Sequence, residues 1–187
     1  AIISRVLEAN GYKVCIISQP KSKADFMQFG APRLAFLVNG GNIDSMVAHY
    51  TAAKKKRSDD AYTPGGKAGA RPDRAVIVYT KALRRIFGDV PIAIGGLEAS
   101  LRRFAHYDYW DNKVMPSVLI DSGADLLSYG MGEHQTLEIA ERLNNGEYPV
   151  TMTDIRGTCY AVPVNEYEPG PAVECPSFEK VCADKKE

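Results

Sequence analysis

An apolar run, Val90-Pro91-Ile92-Ala93-Ile94, halts at Gly95-Gly96 and passes straight into Leu97-Glu98-Ala99-Ser100-Leu101-Arg102-Arg103-Phe104-Ala105-His106-Tyr107-Asp108-Tyr109-Trp110. A short apolar run cut off by glycines, with polar and basic residues at once behind it, reads as a buried parallel strand delivering its carboxyl end to a site. The two glycines let backbone approach a ligand closely, or take positive φ, where a side chain would clash.

The rest of the chain alternates in the way such a strand requires. Ile2, Ile3, Val6 and Leu7 recur at helical spacing, and Asn10-Gly11 ends that helix. A strand is expected over Lys13–Ser18, a short helix near Asp25–Phe29 and a second strand over Arg33–Val38. A helix then starts near Asn42 or Asp44, with Ile43, Met46 and Val47 facing inward. Arg74–Phe87 reads as helical, Val90–Ile94 and Ala124–Tyr129 as strands, Thr136–Leu143 as an amphipathic helix stopped by Asn144-Asn145-Gly146, and Gly157–Val164 as a last strand. This order predicts an α/β fold, Rossmann-like, with a mostly parallel sheet flanked by helices. Such folds usually open on a strand, and this chain opens on a helix. The expectation is that the first strand is lacking and Ala1 is a truncation point.

Length and charge bound the function classes. A chain of 187 residues suits one domain, burying about 70% of its unfolded surface. Lys+Arg 23 against Asp+Glu 23 leaves no net charge, so no global field draws nucleic acid or anionic lipid. No apolar run approaches the roughly 20 residues of a membrane span, and no signal peptide opens the chain, which makes the cytoplasm the default compartment. Cys15, Cys159, Cys175 and Cys182 are scattered without a C-x-x-C pair, so no cysteine metal site is expected. Cys15, inside Val14-Cys15-Ile16-Ile17, reads as a buried reduced thiol. Residues 54–72, with Lys54-Lys55-Lys56-Arg57 and Pro64-Gly65-Gly66, read as a solvated mobile loop, or alternatively as a phosphate grip. Residues after Val164, rich in proline at Pro169, Pro171 and Pro176, read as extended linker.

Three strand ends are glycine-rich or polar: Asn39-Gly40-Gly41-Asn42-Ile43-Asp44, Gly95-Gly96-Leu97-Glu98-Ala99-Ser100, and Tyr129-Gly130-Met131-Gly132-Glu133-His134. Where each precedes a helix, free backbone N–H groups favour an anion, although glycines at such turns also serve geometry alone. None completes a G-x-G-x-x-G or P-loop pattern. Arg102 and Arg103 lead into His106, Tyr107, Tyr109 and Trp110, a set suited to stacking on a ring or gripping a carboxylate. The alternative is an aromatic plug between parts of the domain. His106 fits a general base or a structural histidine, with His49 and His134 carrying less weight. Glu133 fits a ribose hydroxyl acceptor or a helix cap. Ligand-binding candidates are therefore Asn39, Asn42, Asp44, Gly95, Gly96, Glu98, Ser100, Arg102, Arg103, His106, Tyr107, Tyr109, Trp110, Gly130, Gly132 and Glu133. No catalytic or metal-ligating residue is assigned.

The same residues carry a family resemblance. Gly95-Gly96-Leu97-Glu98-Ala99-Ser100-Leu101-Arg102-Arg103 with Ala105-His106-Tyr107-Asp108-Tyr109-Trp110 resembles the signature of the YgiQ-type radical S-adenosylmethionine proteins. Matching pieces include Asn42-Ile43-Asp44-Ser45-Met46, Arg57 through Pro64, Arg71-Pro72-Asp73-Arg74, Ser117 through Asp125, and Tyr129-Gly130-Met131-Gly132-Glu133. The resemblance is to the N-terminal, cobalamin-binding-like region only. It implies a cobalamin-binding-like α/β domain over 1–164 and a linker over 165–187 leading towards a radical S-adenosylmethionine barrel beyond this chain. In the family that barrel carries the Cys-x-x-x-Cys-x-x-Cys motif of a 4Fe-4S cluster, which cleaves S-adenosylmethionine to start radical chemistry. That motif is absent here, so neither cofactor is assigned to this chain. The strand and loop that supply the lower-ligand His in cobalamin domains fall upstream of Ala1, which leaves cobalamin binding by this chain open. The reading is an accessory domain, not catalytic alone, whose partners are its own barrel and a small-molecule or macromolecular substrate of unknown identity. The alternatives are a cobalamin- or nucleotide-like binding module, or a structural docking domain.

Overall fold

A computed structural model describes residues 2–167 and 170–183. Ala1 and Pro169, both used in the sequence reading, lie outside the described residues. In chain order the elements are α1 (Ile2–Ala9), α2 (Lys23–Met27), β1 (Phe36–Asn39), α3 (Ser45–His49), α4 (Ala75–Phe87), β2 (Ile92–Gly95), α5 (Gly96–Leu101), β3 (His106–Asp108), β4 (Lys113–Met115), α6 (Val118–Ser122), β5 (Leu126–Ser128), α7 (Glu133–Asn144), β6 (Thr158–Cys159) and α8 (Phe178–Ala183). The main sheet runs β1-β2-β5-β6, with β1, β2 and β5 parallel and β6 antiparallel to β5. This is the expected α/β fold, a mostly parallel sheet flanked by helices.

The inner parallel strands β2 and β5 are covered on both faces, which explains their unbroken apolar composition, while Leu37 of β1 is exposed on the sheet's other side. Ile92 and Ile94 of β2 and Leu127 of β5 join Val76, Leu83, Val118 and Leu119 in one core under α4 and α6. Ala93 and Leu126 point the other way, into a second core with Ile139 of α7, Met152 and Ile155. Alternation along two adjacent strands thus sorts one sheet into two cores.

Several expectations fail for identifiable reasons. Lys13–Ser18 forms no strand among the described residues, and Cys15 and Ile16 are exposed. Its apolar composition satisfies strand propensity, but no neighbouring strand takes its backbone groups. The strand expected over Gly157–Val164 shrinks to Thr158–Cys159, after which residues 160–163 carry no regular structure. Val47 faces solvent while Met46 is buried, because α3 is only five residues long and spends its inner face on Ser45, Met46, Ala48 and His49. The 54–72 segment is not uniformly solvated: Asp60, Thr63 and Arg71 are buried. The linker region contains a short helix, α8, beside β4.

Candidate functional site

The three glycine-rich strand ends converge. Asn39 and Gly95 are register partners across β1 and β2. A Cβ on Gly95 would sit 3.2 Å from the Ser128 carbonyl at the end of β5. The Gly130 N–H donates to Ser100 Oγ at 3.3 Å, tying the third turn to α5. Gly96 holds φ +78, the left-handed conformation that favours glycine, and starts α5 directly from the strand end. Asn39, Asn42, Gly96 and Gly130 are exposed along this edge. Gly132 occupies the cap position of α7, and Glu133 is the helix's first residue.

Beneath the turns lies a buried polar junction. Asp44 caps α3 through Oδ1, which accepts the Met46 and Val47 N–H groups. Glu98, only 2% exposed, accepts the Ser45 N–H at Oε2 and the Val76 N–H at Oε1, each at 2.9 Å. The Ser45 hydroxyl accepts the Ala75 N–H at 3.0 Å. Arg74, at the cap of α4, offers no side-chain cap, so the first amides of α4 are satisfied from α3 and α5 instead. One carboxylate therefore joins the starts of two helices to the Gly-Gly turn. Arg102, at the carboxyl end of α5, pairs with Asp44 Oδ2. Arg71, also buried, donates to the Gly40 carbonyl at 2.8 Å and to Asp60 at 2.7 Å.

Gly40 makes this junction possible. A Cβ there would come within 2.4 Å of Glu98 Oε2 and 3.2 Å of Glu98 Cβ. The carboxylate is pinned by two amides and cannot swing aside freely. Gly40→Ala is expected to cost about 1–3 kcal/mol of stability by overpacking. The same change should cost much less in a Glu98→Ala background, a coupling that a double-mutant cycle on thermal unfolding measures. Additive losses would refute the contact.

The aromatic segment is a hairpin, β3 paired antiparallel with β4. Composition conceals it, because three-residue strands carry little alternation. Its turn is anchored by Asp108, which accepts the Trp110 and Asp111 N–H groups and pairs with Arg74 at 2.8 Å. Burial would raise the Asp108 carboxyl, but the Arg74 and amide contacts hold it below the ordinary range. Tyr109 donates to the Ala52 carbonyl at 2.6 Å, Lys54 donates to the Trp110 carbonyl, and Trp110 packs tilted on Tyr50 with centroids 5.4 Å apart. Tyr107 is exposed and donates to Asn112. Arg103 lies over the Phe104 and Tyr129 rings and donates to the Ser100 carbonyl. His106 is half-buried with Nδ1 beside the Phe104 carbonyl, and burial pushes its pKa below the ordinary histidine value. The void of about 10 Å³ among Arg74, Arg102, His106 and Asp108 is the size of one water.

One constellation escaped the sequence reading. His49 Nδ1 lies 2.7 Å from Asp73 Oδ1, and Tyr50 donates to Asp73 Oδ2 at 2.7 Å. Adjacent His49 and Tyr50 reach across 24 and 23 positions to Asp73, and nothing local marks that pairing. The cysteines fit no cluster: Cys15, Cys175 and Cys182 are exposed, Cys159 lies apart on β6, and no group of three or more His, Cys, Asp or Glu among the described residues could hold a metal. No helix among the described residues is long and apolar enough to cross a membrane.

The Radical SAM N-terminal family pattern matches residues 1–187. The chain belongs to that family. It is similar to UPF0313 proteins of Clostridium perfringens strain SM101, at 57% identity over 188 residues covering 100% of this chain and 28% of that protein. The UPF0313 protein of Clostridium botulinum strain Okra is 55% identical over 188 residues, covering 100% and 29%. That of Geobacter sulfurreducens is 54% identical over 186 residues, covering 98% and 31%. The chain thus spans less than a third of the length of these relatives. No solved structure matches it.

Proposed function

We propose that this chain is the front, accessory domain of a radical S-adenosylmethionine enzyme, and that the carboxyl-end edge of its sheet is covered by the enzyme's downstream catalytic domain. The carrying observation is an unpaired apolar strip along that edge. Leu97 and Leu101 stand at i and i+4 on the outer face of α5, with Leu101 63% exposed, and Met131 in the adjoining turn is 82% exposed. Apolar residues grouped at the rim of polar strand ends mark an interaction surface. The 4Fe-4S cluster and S-adenosylmethionine belong to the downstream part in this reading, since this chain's cysteines do not converge. The present residues position: Glu98, Asp44 and Arg102 hold the Gly95-Gly96 turn rigid against whatever covers it.

In the full-length protein, Leu101→Glu with Met131→Glu is expected to speed limited proteolysis between the domains at least fivefold and to lower reductive S-adenosylmethionine cleavage. The fold should be unaffected, because exposed side chains away from core contacts shift stability by roughly 0.5 kcal/mol or less. Unchanged protease resistance and turnover would sink the docking reading.

A further inference from the structure

β1 is the outermost strand of the main sheet, and among the described residues β2 is its one neighbour. The Phe36 N–H donates to the Pro91 carbonyl on the β2 side, so the alternate residue Leu37 turns its N–H and C=O to the open edge. Leu37 is 42% exposed, although its register partner Ala93 is buried in the second core. Parallel strands are ordinarily buried, and a bare apolar edge invites another strand.

A second segment has the complementary defect. α1 ends in a turn, with Gly11 at φ +84 and the Tyr12 N–H returned to the Leu7 carbonyl. Behind that turn, Val14-Cys15-Ile16-Ile17 has strand composition and no ladder, and Cys15 and Ile16 are exposed. The start of α1 lies at the carboxyl-end edge of the sheet: a Cβ on Gly132, in the turn after β5, would sit 3.8 Å from Ile3 Cδ1. A helix entered from that edge is in the place of a crossover helix, which a parallel strand feeds.

Handedness locates the feeding strand, because crossovers between parallel strands are almost always right-handed. From β1 through α4 to β2, and on through α6 to β5, the chain moves one way across the sheet over the face of the first core. α2 is on that face too, since Phe26 belongs to the first core and packs edge-on to Tyr79 of α4. Residues 13–18 lead through α2 into β1, so the same hand places them outside β1. α1 packs on α7, whose Ile139 lies in the second core, and is therefore on the opposite face. A right-handed crossover on that face moves the other way, outward, so the strand feeding α1 lies inward of residues 13–18. The one position that satisfies both crossovers is between residues 13–18 and β1.

We infer that the polypeptide leading into α1 supplies a parallel strand of about five residues, apolar on both faces, that docks on the free edge of β1 and takes residues 13–18 as its outer neighbour. The sheet order is then residues 13–18, the added strand, β1, β2, β5 and β6. The added strand bonds the outward backbone groups of Leu37 and gives Val14-Cys15-Ile16-Ile17 the ladder it lacks. This chain spans less than a third of its relatives, so polypeptide outside it exists in such proteins to fill the slot. The inference does not rest on the docking reading, which uses α5.

The test uses the full-length protein. Amide hydrogen exchange resolved to single residues should show the Leu37 amide and alternate amides of residues 13–18 exchanging about a hundredfold or more slower than in an unstructured chain, as ladder amides do. A benzophenone photo-crosslinker in place of Leu37 should join, within one molecule, to polypeptide preceding Ile2. The exchange measurement needs no substitution, so it stands even where the crosslinker disturbs folding. Free exchange at Leu37 and throughout residues 13–18 would overturn the inference. A crosslink to polypeptide beyond Glu187 or to a second copy would do the same, because a downstream domain or a dimer would then cover the edge.

Discussion

Replacing Glu98 by alanine is expected to destabilise the domain by about 3–5 kcal/mol, through two buried amides left unpaired at roughly 1–3 kcal/mol each and the cavity left behind. That loss is a large share of the roughly 5–15 kcal/mol of a typical domain. The amides are those of Ser45 and Val76, so the starts of α3 and α4 should loosen together. Hydrogen exchange in peptides covering 43–48 and 74–79 should speed by about two orders of magnitude or more, at 1.4 kcal/mol per tenfold. Glu98→Gln should recover only part, because an amide group can present one acceptor oxygen but must turn an NH₂ toward the other backbone N–H. If Gln behaves like Glu, the carboxylate is not acting as a double acceptor.

Asp60→Ala should be of similar size, about 3–5 kcal/mol, because it leaves the buried Arg71 guanidinium without its counter-charge. Burial alone would raise the Asp60 carboxyl, but Arg71, the Tyr62 amide and the Thr63 hydroxyl hold it below the ordinary range. A depressed folded pKa contributes stability that is fully present above the unfolded value of about 3.9 and is lost as pH falls through the folded value. Asp73 and Asp108 are depressed as well, each against the upward push of burial: Asp73 by Tyr50 and His49, Asp108 by Arg74 and backbone amides. Unfolding midpoints should therefore be flat in these groups from about pH 5 to 8 and fall steeply below about pH 4. Asp60→Ala should lower the plateau and flatten the acid slope. An acid slope identical to that of the unmodified protein would remove Asp60 from this account.

The surface predictions differ from these in kind. Leu101 and Met131 are exposed, so their effects should appear in proteolysis and turnover with little change in folding.

Where side-chain period and local turn chemistry agree, the sequence by itself determined the element. Ile2–Leu7, the apolar face of Ala75–Phe87 and the Ile92–Gly95 strand are legible because burial on a helix or in a parallel sheet imposes its own residue pattern. That three glycine-rich turns follow strands was legible too, and the parallel pairing of those strands is what brings them to one edge. Tertiary structure decided the rest. Val14-Cys15-Ile16-Ile17 has strand composition but no ladder partner, and composition does not encode a neighbour. The polar 54–72 segment looks like a loop, yet Asp60 and Arg71 bury because each cancels the other's charge across eleven positions. Glu98 reads as a ligand candidate in a glycine turn, while in the fold both its oxygens hold backbone amides from helices 53 and 22 residues away. Charge pairing and amide satisfaction act through space between groups remote in sequence, and only the packed chain brings their partners within reach.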